Sequence, residues 1–162
     1  MKFKASLDKF TFITTLLVTA LLITSAVIQF IFVKEINFGL GLFISILILL
    51  GFIIAFLYKP YSYSIEIKQI KIHRYINDTT IYKNNIVTVE QIEKDQLKGT
   101  IRTFGVGGLF GYFGKFYNSS FGAMTWYATR RNNYILITTS SNKKIIITPN
   151  NPEDFVKEFY KS

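Results

Sequence analysis

The sequence has 162 residues, with 19 lysines and arginines against 10 aspartates and glutamates, for a formal net charge of +9. It contains no cysteine, which excludes disulfides and thiolate metal sites. A basic chain can bind nucleic acid, but no nucleic-acid-binding motif is present. Contact with anionic lipid headgroups or ordinary surface solubility explains the excess positive charge better.

Two apolar runs without charged side chains, residues 10–33 and 36–58, follow a short N-terminal segment, residues 1–9. A helix needs about 20 apolar residues to cross a hydrocarbon core of about 30 Å. Residues 10–58 therefore predict a transmembrane helical hairpin with a tight connection at Lys34 and Glu35. A signal peptide cleaved near Ser25 and Ala26 is the alternative, and it is disfavoured because the apolar run continues to Val33.

Small residues recur at a spacing of four in both runs, which places them on one helix face and allows close helix packing in lipid. The pairing lies within the hairpin or, as the alternative, between two copies of the chain. These positions are Thr11, Thr15 and Thr19 in the first run, and Gly41, Ser45, Gly51 and Ala55 in the second.

The distribution of lysine and arginine predicts the orientation of the hairpin. Lys2, Lys4 and Lys9 precede the first run and further basic residues follow the second, whereas the connection offers only Lys34 beside Glu35. By the positive-inside rule both termini are cytoplasmic, and the protein is a multi-pass protein of the cell's inner (cytoplasmic) membrane. Neither run contains Asp, Glu, Lys, Arg or His, which disfavours a transport pathway.

Residues 60–162 predict a single cytoplasmic domain rich in short strands. Apolar and polar residues alternate at a period of two in 61–68 and 70–73, and further strands are predicted at 79–83, 86–92, 124–129, 134–139 and 143–148. Asn151 is expected to cap a helix that begins at Pro152 and has one apolar face, formed by Phe155, Val156, Phe159 and Tyr160. Strands and helices do not alternate, which disfavours a parallel nucleotide-binding fold.

Residues 102–121 combine glycines with aromatic residues. The beginning of a dinucleotide fingerprint at Gly105 and Gly107 is not completed, because position 110 is phenylalanine. One interpretation is that the glycines permit bends or bulges in a small barrel with the aromatic residues in its core. The other is that aromatic side chains lie at the level of the lipid headgroups, namely Phe110, Tyr112, Phe113 and Tyr117.

No catalytic, cofactor-binding or metal-binding residues are predicted. His73, the only histidine, lies on the polar side of a strand beside Arg74, which favours a surface histidine over a ligand or base. Glu90 is the polar member of an alternating strand, and Glu93 and Asp95 fit a solvated loop.

Two basic pairs are candidates for contact with anionic headgroups or a partner, although a solvated turn is the simpler explanation for each. Arg130 and Arg131 lie at one end of a predicted hairpin, and Lys143 and Lys144 lie at its other end.

Four segments together resemble the bacterial pleckstrin-homology (PH) domain family, in particular its branch in small membrane proteins: residues 102–114 (RTFGVGGLFGYFG), 126–129 (WYAT), 147–149 (ITP) and 152–155 (PEDF). The resemblance covers about residues 61–160. It implies a seven-stranded, strongly bent sheet or partly open barrel closed by one C-terminal α-helix, a non-catalytic module, and oligomerisation in some relatives. Eukaryotic domains of this fold often bind phosphoinositides through the loop after the first strand. The corresponding residues 68–71 are short and weakly basic, so no ligand-binding residue is carried over.

The sequence thus predicts a non-catalytic integral membrane protein that presents a PH-like domain at the cytoplasmic membrane face. The expected partners are membrane lipids through the hairpin, together with an unidentified protein or a second copy of the chain; no cofactor is expected. Protein interaction, self-assembly and anionic-lipid contact remain open as roles. The alternative is a small membrane-associated enzyme or transporter accessory subunit.

Overall fold

The computed structural model describes residues 1–29, 31 and 38–161. Three helices are present in this part of the chain: α1 (Lys9–Ile28), α2 (Phe38–Tyr58) and α3 (Pro152–Lys161). The strands are β1 (Lys2–Lys4), β2 (Pro60–Ile65), β3 (Gln69–Arg74), β4 (Thr79–Tyr82), β5 (Ile86–Ile92), β6 (Ile101–Gly107), β7 (Tyr112–Asn118), β8 (Gly122–Ala128), β9 (Tyr134–Thr139) and β10 (Lys144–Ile147). Short 3-10 helices lie at Lys83–Asn85 and Lys94–Leu97.

Helices α1 and α2 are both long and apolar enough to cross a membrane. Their leucines and isoleucines face outward, as Leu17 (64 % exposed) and Leu21 (68 % exposed) illustrate, unlike those of a helix in a soluble core. The Ser45 hydroxyl donates a hydrogen bond to the Gln29 side chain, so this small residue contributes to pairing within the hairpin. The predicted connection at Lys34 and Glu35 lies outside the described residues, as do the ends of the two predicted runs that adjoin it.

The strands form two sheets. The first has the order β1-β2-β3-β4 and the second the order β5-β9-β10-β8-β7-β6. All pairings are antiparallel except that of β10 with β8, which is parallel. Strand β10 therefore lies between two strands that are consecutive in the chain, β8 and β9.

The two sheets and α3 share one hydrophobic core. Phe155 of α3 is fully buried in it, with its ring centroid 5.0 Å from that of Phe3. Tyr63 of the first sheet donates a hydrogen bond to Tyr127 O of the second at 2.6 Å, and burial raises the pKa of Tyr63 to about 12, so that it stays a neutral donor. The predicted architecture is confirmed: two apolar helices, then a sheet-rich domain with a C-terminal helix.

The number of strands differs from the seven expected, because the described residues 60–161 contain nine. The two additional strands, β6 and β7, occupy the stretch rich in glycine and aromatic residues. Their alternation is invisible in the sequence because glycines stand at 105, 107 and 114, where a strand would show side chains. Gly105 and Gly114 are paired across the two strands, and a Cβ on Gly105 would lie 2.3 Å from Phe113 O. The close approach of the two backbones therefore requires glycine.

The N-terminal segment contributes strand β1, which pairs with β2 and places Phe3 in the core. The amino group of Met1 donates a hydrogen bond to Ile65 O at 2.6 Å. Residues that precede α1 and residues that follow α2 thus form a single sheet.

Candidate binding surface at the membrane junction

Asp8 joins the start of α1 to the loop between β8 and β9. Its Oδ1 accepts the N-cap hydrogen bond from Thr11 N–H at 2.7 Å, and its Oδ2 accepts from Arg131 N–H at 2.9 Å. Burial acts to raise the pKa of Asp8, but the hydrogen bonds from Thr11 and Arg131 and the charge of the Arg131 guanidinium outweigh it and hold the pKa below its usual value. Asp8 is therefore ionised at neutral pH.

Arg130 binds the segment that leads into α1. Its guanidinium donates to Ser6 O at 3.0 and 3.1 Å and to Asn150 Oδ1 at 2.7 Å. The Thr129 hydroxyl donates to the same Ser6 carbonyl at 2.9 Å. The sequence suggested a solvated turn for Arg130, whereas the structure places it in a hydrogen-bond network with the segment that leads into α1.

The turn between β6 and β7 reaches α1. The Phe110 N–H donates a hydrogen bond to Thr15 Oγ1 at 3.0 Å. Phe110 has φ +58°, a left-handed conformation that costs a non-glycine residue about 1–2 kcal/mol. The contacts of its ring must offset this cost.

Those contacts are with the end of α2. The Phe110 ring lies 5.0 Å from the Phe52 ring and 5.4 Å from the Phe56 ring, both in edge-on geometry. Ala55, Phe110 and Phe113 are buried together in a cluster. The small side chain of Ala55 therefore faces the domain, where it makes room for two phenylalanines.

A group of cations and aromatic rings, the junction belt, surrounds this cluster at the end of α2. The Lys59 ammonium lies 4.6 Å from the Phe56 ring centroid and 5.4 Å from that of Phe110, and burial lowers the pKa of Lys59. The belt consists of Lys2, Tyr58, Lys59, Tyr61, Arg74 and Tyr75, in which Lys2 lies over Tyr61, Arg74 lies over Tyr58, and Tyr75 contacts Tyr61. Amphipathic rings beside cations are typical of a headgroup interface.

The eight sequence-predicted contact residues separate into three places. Phe110 and Phe113 lie in the buried cluster at α2, and Arg130 binds Ser6 in the segment that leads into α1. Tyr112 and Arg131 line a cavity on the outer face of the second sheet. Tyr117, Lys143 and Lys144 lie toward the other end of the strands, and Lys144 donates to Phe121 O at 2.7 Å. Six residues of extended strand separate the ends of β7 by about 20 Å, so the two lysines and Tyr117 do not join the junction.

Ser64, His73 and Asp78 are hydrogen-bonded in the order of a catalytic triad. Ser64 Oγ is 2.9 Å from His73 Nε2, and His73 Nδ1 is 3.0 Å from Asp78 Oδ2. Ser64, however, lies in β2, which pairs with β1 on one edge and with β3 on the other. The backbone N–H of the following residue, Ile65, donates a hydrogen bond to Met1 O. A backbone donor is thus not free there to stabilise an oxyanion. The hydrogen bond from Arg74 N–H lowers the pKa of Asp78, which fits a role in fixing the turn between β3 and β4.

Metal binding finds no support in the described ranges 1–29, 31 and 38–161, where no three His, Cys, Asp or Glu side chains form a group that could hold an ion. Two junction residues, Asp8 and Thr15, were not predicted as site residues. The pattern of Asp8 three residues before Thr11 at the start of an apolar run is a helix-capping signal. Nothing local to Thr15 indicates its partner, 95 residues later in the chain.

Comparison with known proteins gives one match. The sequence model of the bacterial PH domain family matches residues 61–162, which is more than half of the chain. No curated protein and no solved structure matches the chain. PH domains themselves are generally non-catalytic, and they often bind lipids or proteins.

Proposed function

The chain belongs to the bacterial PH domain family, and we propose that it is a non-catalytic membrane protein whose domain is held against the cytoplasmic face of the inner membrane. In this proposal α1 and α2 span the bilayer and the junction belt contacts anionic headgroups. The chain acts as a binding module of fixed position and orientation.

One observation carries this proposal: the domain contacts both apolar helices, α1 near its start and α2 near its end. The Phe110 N–H contacts Thr15 in the second turn of α1, and the Phe110 ring packs on Phe52 and Phe56 near the end of α2. A flexible tether would leave these groups in solvent. Direct docking instead determines which surface of the domain faces the lipid.

The composition of the junction belt favours anionic lipid as the first contact. Lys2, Lys59 and Arg74 lie beside aromatic rings at the helix ends. Each such cation near an anionic leaflet contributes on the order of 1 kcal/mol. Lys143, Lys144 and Tyr117, at the opposite end, are better placed for a protein partner or a second copy of the chain, and crosslinking of the full-length protein in its own membrane tests that role.

Cysteine labelling tests the orientation, since the natural chain has no cysteine. Ile67, which is 84 % exposed, is a suitable domain position for Ile67→Cys, and Glu35→Cys marks the predicted outer connection. We expect a membrane-impermeant maleimide to label Ile67→Cys in inverted vesicles only and Glu35→Cys in intact spheroplasts only. The reverse pattern would exclude a cytoplasmic domain.

Lipid selectivity tests the junction belt. Native mass spectrometry of the full-length protein should show more retained phosphatidylglycerol than phosphatidylcholine. The double substitution Lys2→Gln and Lys59→Gln is expected to reduce this preference, whereas Lys143→Gln with Lys144→Gln, a variant of equal charge, should retain it. Equal effects of the two pairs would mean that net charge, rather than the belt, attracts the lipid.

A further inference from the structure

A cavity of about 750 Å³ lies on the face of the second sheet that is turned away from the shared core. Its base is aromatic. The Phe116 and Trp126 rings are stacked with centroids 4.5 Å apart and 22° between their planes, and the Tyr134 ring lies 5.7 Å from that of Trp126. Small-molecule sites in proteins commonly enclose about 300–1,000 Å³ and have such apolar walls.

The sides of the cavity are cationic. Four cationic residues line it: Lys94, Lys98, Arg102 and Arg131. Two carboxylates oppose them, that of Asp95 in the lining and that of Asp8, which forms an ion pair with Arg131. Burial raises the pKa of Tyr134 to about 12, so this phenol stays protonated and adds no negative charge. The electrostatic character of the cavity therefore favours an anion.

Three residues of the lining carry a buried polar atom that has no hydrogen-bond partner among residues 1–29, 31 and 38–161: Tyr112 Oη, Trp126 Nε1 and Arg131 Nε. We call these atoms the orphan donors. Trp126 itself is only 5 % exposed. Arg131 Nε is 3.9 Å from Asp8 Oδ2, within ion-pair range but beyond hydrogen-bond distance. An indole or guanidinium N–H can only donate, and leaving such a group unpaired costs about 1–3 kcal/mol.

The wall opposite the aromatic base is firmly built. Glu93 and Gln96 form a reciprocal capping box around the 3-10 helix Lys94–Leu97. The buried Asn118 side chain donates to Lys98 O and to Thr100 Oγ1, each at 3.0 Å. The cavity is therefore formed by fixed backbone rather than by a loose loop, which lowers the entropic cost of binding.

We propose that this cavity binds an anion carried on a flat apolar body, such as an aromatic carboxylate or phosphate. The flat body stacks on the aromatic base, and the anionic group accepts hydrogen bonds from the orphan donors. These donors are covered by neighbouring side chains, so long rim side chains move aside on binding. Arg102 is the principal rim side chain, because its guanidinium lies over Gly107. A Cβ on Gly107 would lie 3.1 Å from Arg102 Nη1. This inference does not depend on which side of the membrane holds the domain.

Trp126 provides the assay, because it is the only tryptophan in the chain and its fluorescence reports on the cavity. The full-length protein in uncharged maltoside micelles is titrated with 4-nitrobenzoate, a flat anionic quencher, and with 4-nitrobenzamide, its neutral analogue. We expect saturable quenching by the benzoate and at least tenfold weaker binding of the amide, because charged acceptors form the stronger hydrogen bonds.

Two conservative variants separate binding from folding. Tyr112→Phe removes one orphan hydroxyl and should weaken 4-nitrobenzoate binding about tenfold without lowering the melting temperature of the unliganded protein. Tyr117→Phe, on the exposed face of the same strand, should leave the affinity unchanged within about twofold. Quenching that does not saturate, equal quenching by the two probes, or an unchanged affinity in Tyr112→Phe would overturn the proposal.

Mixed micelles identify the source of the anion. Phosphatidylglycerol or phosphatidylcholine is added at a fixed concentration of 4-nitrobenzoate. Competition by phosphatidylglycerol alone would support the site and assign the anion to a lipid headgroup. Saturable quenching that neither lipid reduces would support the site and assign it to a soluble anion.

Discussion

The backbone N–H of Phe110, at the turn between β6 and β7, donates a hydrogen bond to the hydroxyl of Thr15 in α1 at 3.0 Å. The same Thr15 hydroxyl donates to Thr11 O one helical turn earlier at 2.7 Å. The Thr15 hydroxyl therefore links the helix backbone to the domain through two hydrogen bonds. Because the turn also packs its phenylalanine ring on α2, one short segment contacts both apolar helices.

Removing the Thr15 hydroxyl should loosen this docking. In Thr15→Val the Phe110 N–H loses its acceptor, and we expect a loss of about 1–3 kcal/mol in the free energy of unfolding. Thr19→Val is the matched control, since the Thr19 hydroxyl donates only within the helix, to Thr15 O. Thermal unfolding in micelles, followed by near-UV circular dichroism, measures both. Equal losses in the two variants would contradict a specific role for Thr15.

At position 110, glycine should be more stabilising than alanine, which is the reverse of their usual order of stability. Both variants lose the ring contacts with Phe52 and Phe56. Truncating a buried phenylalanine typically lowers the free energy of unfolding by about 3–5 kcal/mol. At φ +58° glycine is unstrained whereas alanine is not, so Phe110→Gly should be more stable than Phe110→Ala by about 1 kcal/mol. Urea unfolding of the two variants provides the comparison. A less stable glycine variant would show that the left-handed conformation does not persist.

The paired glycines of β6 and β7 should tolerate no side chain. In Gly105→Ala and in Gly114→Ala the new Cβ would lie 2.3–2.4 Å from a backbone carbonyl oxygen of the opposite strand. We expect the hairpin to separate and its amides to lose hydrogen-exchange protection.

Gly122→Ala is the control for this clash. Gly122 also has a positive φ, but nothing lies within 4 Å of an added Cβ. This variant should therefore show only the backbone strain, about 1 kcal/mol. An equally mild effect at Gly105 would rule out the steric explanation.

Stability should fall in acid through Asp8. Its pKa is lowered in the folded protein, so its ionisation stabilises the fold above the unfolded pKa of about 3.9. This contribution is lost as the pH falls from about 4 through the lower folded value. Asp8→Asn has one acceptor oxygen for two N–H donors, those of Thr11 and Arg131, and should cost about 1 kcal/mol at pH 7.

The measurement is thermal unfolding between pH 2 and pH 7. Asp8→Asn should show a smaller decrease of melting temperature on acidification than the natural chain, because the group that titrates is gone. Asp95→Asn, at an exposed position, is the control for loss of one negative charge at neutral pH. A natural chain and an Asp8→Asn variant with parallel profiles would exclude Asp8 as the source of acid sensitivity.

The sequence predicted helices and strands well where apolar residues repeat along one face of the element. Alternation of apolar and polar residues predicted β2 and β3, and Asn151 followed by Pro152 predicted the start of α3. The sequence did not predict β6 and β7, because glycine has no side chain that could alternate between faces. It also did not predict β1, in which Phe3 is the only buried residue. In the aromatic stretch, Phe110 and Phe113 are buried against α2 and Phe116 is buried in the second sheet, whereas placement of its aromatic residues at headgroup level stays a prediction.

By itself the sequence determined the two apolar helices, the change to a sheet-rich domain at Pro60 and the family to which that domain belongs. The helices and the change at Pro60 follow from length, period and composition, and the family follows from a resemblance of short motifs; each of these signals is local in the chain. Only the tertiary structure decided that β10 lies between β8 and β9, that Thr15 meets Phe110, and that Tyr112, Trp126 and Arg131 share one cavity. Such relationships depend on which distant segments pair, and the free energy that selects a pairing comes from burying whole faces together rather than from any single residue.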